Sequence, residues 1–246
     1  MNTHRTSLST RLLAVVAMAF MLFPLLTVIP VSFTSKRFLS MPEGNWSLRH
    51  YEALVSNPDW LHAISQSLAI AFATSIIATL LAASFSLGIW YMRNKWATAL
   101  IGLVLLPMAI PPVISALVLY FMETKLGRFA PGMGYDTLTG VVIAHVIMVV
   151  PYGVVTMLVA LSQIDRRIEL ASRNLGASLM QTTFMVILPN LKLGLASTAL
   201  LGFALSWEEV AVTLFITASP PLLPTTGRSP AGRWRPGPVS GSAGSP

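Results

Sequence analysis

The chain contains no cysteine. A disulfide framework, a thiolate metal site and a cysteine nucleophile are therefore excluded, and the redox compartment is left open. Charge is scarce as well: Asp, Glu, Lys and Arg make up 10% of the 246 residues, against 54% hydrophobic residues. One soluble core of this length cannot absorb so much apolar surface, so a soluble globular fold is excluded and a lipid bilayer is the expected surrounding. A Gly-x4-Gly-Lys-Ser/Thr phosphate loop is missing, so the chain itself is not expected to bind or hydrolyse ATP. No catalytic residue, metal site or cofactor is expected. The net charge of +7 does not mark a nucleic-acid binder, because the cations are scattered over short loops with no basic stripe or aromatic platform. No periodic repeat and no separate soluble domain is visible.

What is present is a series of long apolar runs. A bilayer core about 30 Å thick needs roughly 20 apolar residues in a helix. Five stretches meet that length: Leu12 to Phe33, His62 to Tyr91, Ala97 to Met122, Leu138 to Leu161 and Val186 to Thr217. The expected fold is an all-α polytopic membrane bundle with five transmembrane helices. The last run is too long for one straight span, so its first part is expected to lie in the interface.

Arg5 and Arg11, Arg93 and Lys95, and Arg166, Arg167, Arg173 and Lys192 all fall on one side of these spans. The opposite loops carry Lys36, Arg37, Arg49, Lys125 and Arg128, interleaved with Glu43, Glu52, Asp59, Glu123 and Asp136. Eight cations against five place the amino terminus in the cytoplasm. The first span reads as an uncleaved anchor, since no small-x-small cleavage site follows it. The first outer loop, Thr34 to Leu61, carries Trp46, Tyr51 and Trp60, residues that favour the headgroup level. The loop Glu123 to Thr137 reads as a Gly-rich turn.

Prolines recur inside the spans, at Pro24, Pro30, Pro107, Pro111, Pro112 and Pro151. Each removes a backbone donor and bends its helix. Two readings stand for the Pro107 to Pro112 region: ordinary irregularity of a membrane helix, or the lining of a moving pathway.

The connection after the fourth span has more internal logic. Asp165 is placed to cap a short helix, and Ile168, Ala171, Leu175 and Leu179 share one face of it. Gly176 can end that helix in a left-handed conformation or let another backbone approach. Pro189 marks a kink or a new start. The residues alone fit either an interfacial connecting helix or a docking element for a partner.

Glu169-Leu-Ala-Ser-Arg-Asn-Leu-Gly176 followed by Val186-Ile-Leu-Pro189 resembles the signature of the inner-membrane permease subunits of binding-protein-dependent ABC transporters of the type I fold. That signature runs Glu-Ala-Ala, three residues, Gly, nine residues, Ile-x-Leu-Pro. The spacing here matches throughout. Leu170 stands where the family has Glu, with Glu169 one residue earlier. Ser172 replaces the second Ala and Val186 replaces Ile. Among these permeases the chain is most similar to the spermidine/putrescine type. The likeness runs from residue 12 to 217, through Leu105-Leu-Pro-Met-Ala-Ile-Pro-Pro112, Ala144-His145 to Pro151, and Phe203-Ala-Leu-Ser-Trp-Glu-Glu209.

The resemblance implies a division of labour. Two permease subunits form the pathway, cytoplasmic ATP-binding subunits supply the work, and a periplasmic solute-binding protein delivers the solute at the bacterial inner membrane. Glu169, Leu170, Ala171, Ser172, Leu175, Gly176, Val186, Leu188 and Pro189 would form the ATPase-coupling element. Its Leu170 or Leu175 would enter a groove of the ATPase. Phe203, Trp207, Glu208 and Glu209 are the candidate pathway residues, the acids attracting and the rings stacking on the ammonium groups of a polyamine. The acids fit equally the water-facing end of the fifth span. His145 reads as a satisfied interior histidine with no role assigned.

After Ala218 the composition turns to Pro, Gly, Ser and Arg. Residues 1–218 are thus expected to form the transmembrane domain and 219–246 a disordered tail standing where the family has a sixth span; it reads as a frameshifted or truncated product, with a natural linker tail as the alternative. Two other functions remain open from the residues alone: an ion-coupled secondary carrier, whose inverted repeats are not visible, and an inactive truncated permease fragment.

Overall fold

The computed structural model describes residues 8–92 and 95–217. Arg5, Arg93 and the 219–246 tail, on which part of the orientation and domain expectations rest, lie outside them. Among the described residues all regular structure is helical apart from one isolated bridge, Thr34 to Trp46. The chain divides into two compact units, Met1–Leu61 and His62–Pro246.

In the first unit, α1 (Leu8–Ser32) takes up the first expected span. Leu, Val, Met and Phe occupy its whole circumference, and none of its residues is buried. Pro24 and Pro30 sit within it. The loop that follows is gathered by rings: Phe33 lies 5.4 Å from Tyr51 and 6.1 Å from Trp46 between centroids. The Tyr51 hydroxyl lies 2.7 Å from Ser32 Oγ. Glu43 and Gly44 turn the loop with positive φ, and Lys36 meets Glu43 at 2.6 Å. The hydrogen bond and charge of Lys36 hold the Glu43 carboxyl below its ordinary range. A short helix, α2 (Arg49–Ser56), leads to α3 (Pro58–Tyr91).

In the second unit, α3 from His62 onward packs with α6 (Leu138–Ser162) and α10 (Lys192–Glu208). The buried face of α3 is mostly small: Ala71, Thr74, Ser75, Ala78, Ala82, Ala83 and Ser86 recur at three- and four-residue spacing. In lipid no hydrophobic force draws helices together, so small residues that let backbones approach set the packing. Ser75 donates to the Ala199 carbonyl at 2.6 Å, and a Cβ added to Gly153 would meet Ala82 Cβ at 3.0 Å. A larger core of Trp90, Val154, Met157, Leu161, Ile187 and Leu191 closes the end where α3 finishes.

Two of the five expected spans are not single helices. Ala97 to Met122 divides into α4 (Trp96–Leu105), a 3-10 turn (Leu106–Ala109) and α5 (Pro112–Phe129), with a bend of 103°. Ile110 and Pro111 each precede a proline and are therefore driven extended, with ψ of 131° and 137°. Val186 to Thr217 is likewise broken. Leu179–Asn190 bends by 69° into α10, and α10 stops at Glu208 before α11 (Ala211–Ile216). Among the described residues three helices are long and apolar enough to cross a membrane, or up to five if each bent pair is one span. The expected loop Glu123 to Thr137 is also corrected: α5 continues to Phe129, so Glu123, Lys125 and Arg128 are helical. α5 thus runs about two turns past Met122, where its apolar run ends.

Candidate functional site

The segment after α6 is built by its own caps. The Asp165 carboxylate accepts from the Arg167 amide at 2.8 Å and starts α7 (Arg166–Asn174). At the other end Gly176 adopts φ +88°. Its amide donates to the Arg173 carbonyl at 3.0 Å, and the Ala177 amide to that of Ser172 at 3.2 Å. This pair of bonds is the Schellman closure, which requires a left-handed residue. A Cβ on Gly176 would meet nothing within 4 Å, so conformation and not crowding demands the glycine. Close backbone approach, the other expectation for Gly176, is not used among the described residues. Ser178 and Gln181 then cap each other reciprocally and open α8 (Leu179–Gln181). A π-helical turn, Thr182–Ile187, and α9 (Leu188–Asn190), which contains Pro189, lead into the bend.

This fixed backbone presents apolar side chains outward. Leu170 is 50% exposed and Leu175 89%, with Ile168, Ala171, Leu179 and Met180 also exposed. The apolar face is thus the outward one, and a cleft of about 560 Å³ opens beside it, lined in part by Gln163, Asp165, Ile168 and Asn190. Glu169 does the opposite of presenting its carboxylate: it is buried, at 5% exposure. Ser172 is half-buried and hydrogen-bonds Thr182 Oγ1 at 3.1 Å. Val186 and Leu188 are half-buried and Pro189 exposed.

The second group of expected residues lies at the far end of α10, whose 17 residues span about 25 Å. Here the helix is interrupted and strapped. Buried His145 bridges the break, with Nδ1 2.8 Å from Ser206 Oγ on α10 and Nε2 3.0 Å from Thr213 Oγ1 on α11. A neutral imidazole meets both hydroxyls, one as donor and one as acceptor. Glu209 caps α11, its Oε1 accepting from the Val212 amide at 3.1 Å. Glu208 is exposed. Trp207 stacks on Phe203 at 6.2 Å, and Phe203 lies 5.0 Å from Phe72 of α3. The structure therefore joins Phe203 to Trp207, separates the two acids by role, and keeps both apart from α7.

Sequence reasoning missed two participants. Phe72 extends the aromatic row from another helix, and only tertiary packing brings it there. Glu123, read as a loop acid, is fully buried on the α5 stripe of Ser115, Ala116 and Leu119, and neither of its side-chain oxygens has a hydrogen-bond partner among the described residues. A Cβ on Gly140 in the first turn of α6 would come within 2.9 Å of Glu123 Oε2. Its position in the 116, 119, 123 series was the available signal.

Comparison with known proteins agrees with this architecture. Residues 75–232 match the family described as "Binding-protein-dependent transport system inner membrane component". The spermidine/putrescine transport system permease protein PotC of Haemophilus influenzae is 28% identical over 203 residues, covering 82% of this chain and 76% of that protein. The putrescine transport system permease protein PotI of Escherichia coli (strain K12) is 27% identical over 202 residues, covering 80% and 70%. A probable molybdenum ABC transporter permease protein of Haloferax volcanii is 30% identical over 174 residues, covering 69% and 64%. The bent spans, the capped α7 and the strapped α10–α11 break are thus those of a chain that belongs to the binding-protein-dependent transport system inner membrane components.

Proposed function

We propose that this permease forms part of the membrane pathway of an ATP-driven importer for a cationic solute of the polyamine class, and that α7 is its contact with the ATPase. The observation that carries the coupling role is the outward display of Leu170 and Leu175 on a backbone already fixed by Asp165 and Gly176. Fully burying an exposed leucine contributes about 1.5–3 kcal/mol; in a partner groove Leu175, 89% exposed, would gain most of this and half-exposed Leu170 less. Glu169 supports the helix from its buried side, and Ser172 ties it to the π turn. The partners are a second permease subunit, cytoplasmic ATP-binding subunits and a periplasmic solute-binding protein. The amino terminus faces the cytoplasm in the bacterial inner membrane.

The solute class rests on the α10–α11 break and on what the polyamine-named relatives are said to transport. Glu208 offers a carboxylate not engaged in a cap, and Trp207 with Phe203 offers aromatic faces for an ammonium group. Glu209 serves the same region as a cap. Co-purification tests the docking role: Leu170→Asp with Leu175→Asp should strip the ATPase from the detergent-extracted complex while leaving membrane insertion unchanged. Retention of the ATPase by that double variant would refute it.

A further inference from the structure

We propose that Arg166 and Trp90 form the joint through which α7 drives α3. The inference rests on α7 being the ATPase contact and names the helix that receives its motion. Three contacts carry it. Arg166, the first residue of α7, donates from Nη2 to the Trp90 carbonyl at 2.9 Å. Its Cζ lies 4.8 Å from the centroid of the Trp90 ring. Tyr91, next in sequence, places its hydroxyl 2.9 Å from Thr183 Oγ1 on the π turn to which Ser172 of α7 is bonded through Thr182.

Each contact has a physical reason. The last carbonyls of α3 have no donor within the helix, and the Trp90 oxygen is one of these. A guanidinium there satisfies the orphan acceptor, lies at the negative end of the helix dipole and stacks on an aromatic face. Only arginine supplies all three, since a lysine ammonium is a point charge that cannot hold a carbonyl in its fork while lying flat on a ring. Trp90 is in turn 7% exposed and packed in the core of Ala82, Val154, Met157 and Leu161. A displacement of α7 is therefore delivered to a side chain embedded between α3 and α6, not to a loop. From Trp90 the small-residue stripe of α3 runs toward Phe72, which touches Phe203 of the aromatic row.

Arg166 is exposed, so its replacement does not open the core, and it is the primary probe. The complete chain, assembled with its partner subunits in proteoliposomes, is compared as wild type, Arg166→Ala, Arg166→Lys, Trp90→Leu and the Arg166→Ala/Trp90→Leu double variant. One readout is ATP hydrolysed per spermidine imported. The other is the distance between spin labels at Met92→Cys and Arg173→Cys, a pair to which the cysteine-free chain adds no thiol of its own.

Arg166→Ala should keep its ATPase yet raise the ATP cost per spermidine about tenfold, within the usual span of coupling factors. The label distance should broaden. The double variant should be no worse than Trp90→Leu alone, as expected for two halves of one joint, and Arg166→Lys should recover part of the ratio. A normal ratio with an unchanged distance in Arg166→Ala overturns the proposal. Loss of the ATPase from that variant also overturns it, because Arg166 would then be a docking contact. A wild-type chain that recruits no ATPase or imports no spermidine refutes the functional reading instead, and the label distance in Arg166→Ala still decides the joint.

Discussion

α7 and the α10–α11 break solve opposite problems. In α7 the backbone ends are closed locally, by Asp165 at the start and by Gly176 at the finish, while its leucines are left open. At the break the backbone is open and side chains close it, with Glu209 capping α11 and His145 strapping both helices. A surface that must fit a partner needs a rigid frame and free side chains. A helix interrupted in an apolar surrounding needs its freed polar groups satisfied from within the chain. The two regions therefore differ in which variants harm them.

The largest effect is expected at the frame. Gly176→Val places a β-branched residue at φ +88°, a strain of about 1–3 kcal/mol. Spermidine uptake should fall more than about tenfold, the factor that 1.4 kcal/mol represents, and the ATPase should no longer co-purify. Gly176→Asn, which tolerates the left-handed region, should restore most of both. Equal behaviour of Val and Asn would mean that the turn is not what α7 needs.

Next comes the strap. His145→Leu leaves the buried hydroxyls of Ser206 and Thr213 without their partner, at about 1–3 kcal/mol per group. Uptake should fall severalfold while ATPase binding stays intact, the reverse of a frame defect. Loss of the ATPase in this variant would erase the distinction between the two regions.

A smaller difference should separate the neighbouring acids. Glu208→Gln should lower spermidine uptake at low ionic strength and match wild type at 1 M salt, where the Debye length is about 3 Å. Glu209→Gln keeps the oxygen that accepts from Val212 and should stay near wild type at both. The opposite ranking would give the cap and the charge to the wrong residues.

Least change in uptake is expected from Glu123→Leu, which replaces an unpartnered buried carboxyl by an apolar group of similar size. The replacement removes the desolvation penalty of a buried polar group without a partner, about 1–3 kcal/mol. Each kcal/mol corresponds to about 2–4 °C in a chain of this length. The thermal midpoint measured in detergent should therefore rise by several degrees. A fall in uptake would add Glu123 to the pathway.

How much of this was legible follows from range. The Asp165 cap, the turn at Gly176 and the existence of every apolar run depend on neighbours in sequence, and each was readable there. The bends were partly readable: the prolines mark where α4 and α5 part, but not the angle, which packing sets. Glu169, Glu123 and Phe72 escaped because burial and ring contact are decided by residues tens of positions away. Hydropathy also could not tell α1 from α3, both apolar throughout. Only the small residues of α3 distinguish a helix that packs within this chain from one that offers large side chains on every side.

The π turn at Thr182–Ile187 acts as a phase adjuster. At its start Thr182 and Thr183 point at Ser172 and Tyr91; at its end Ile187, and beyond it Leu191, point into the core. A regular α-helix advances about 100° per residue, so it cannot alter the angle between two such sets without gaining or losing a whole residue. The widened turn accommodates that extra residue. Without that widening the same six residues would turn about 100° further and aim Leu170 and Leu175 away from where they now face. The direction in which the outward leucines point is thus set by a widened turn that begins seven positions beyond Leu175.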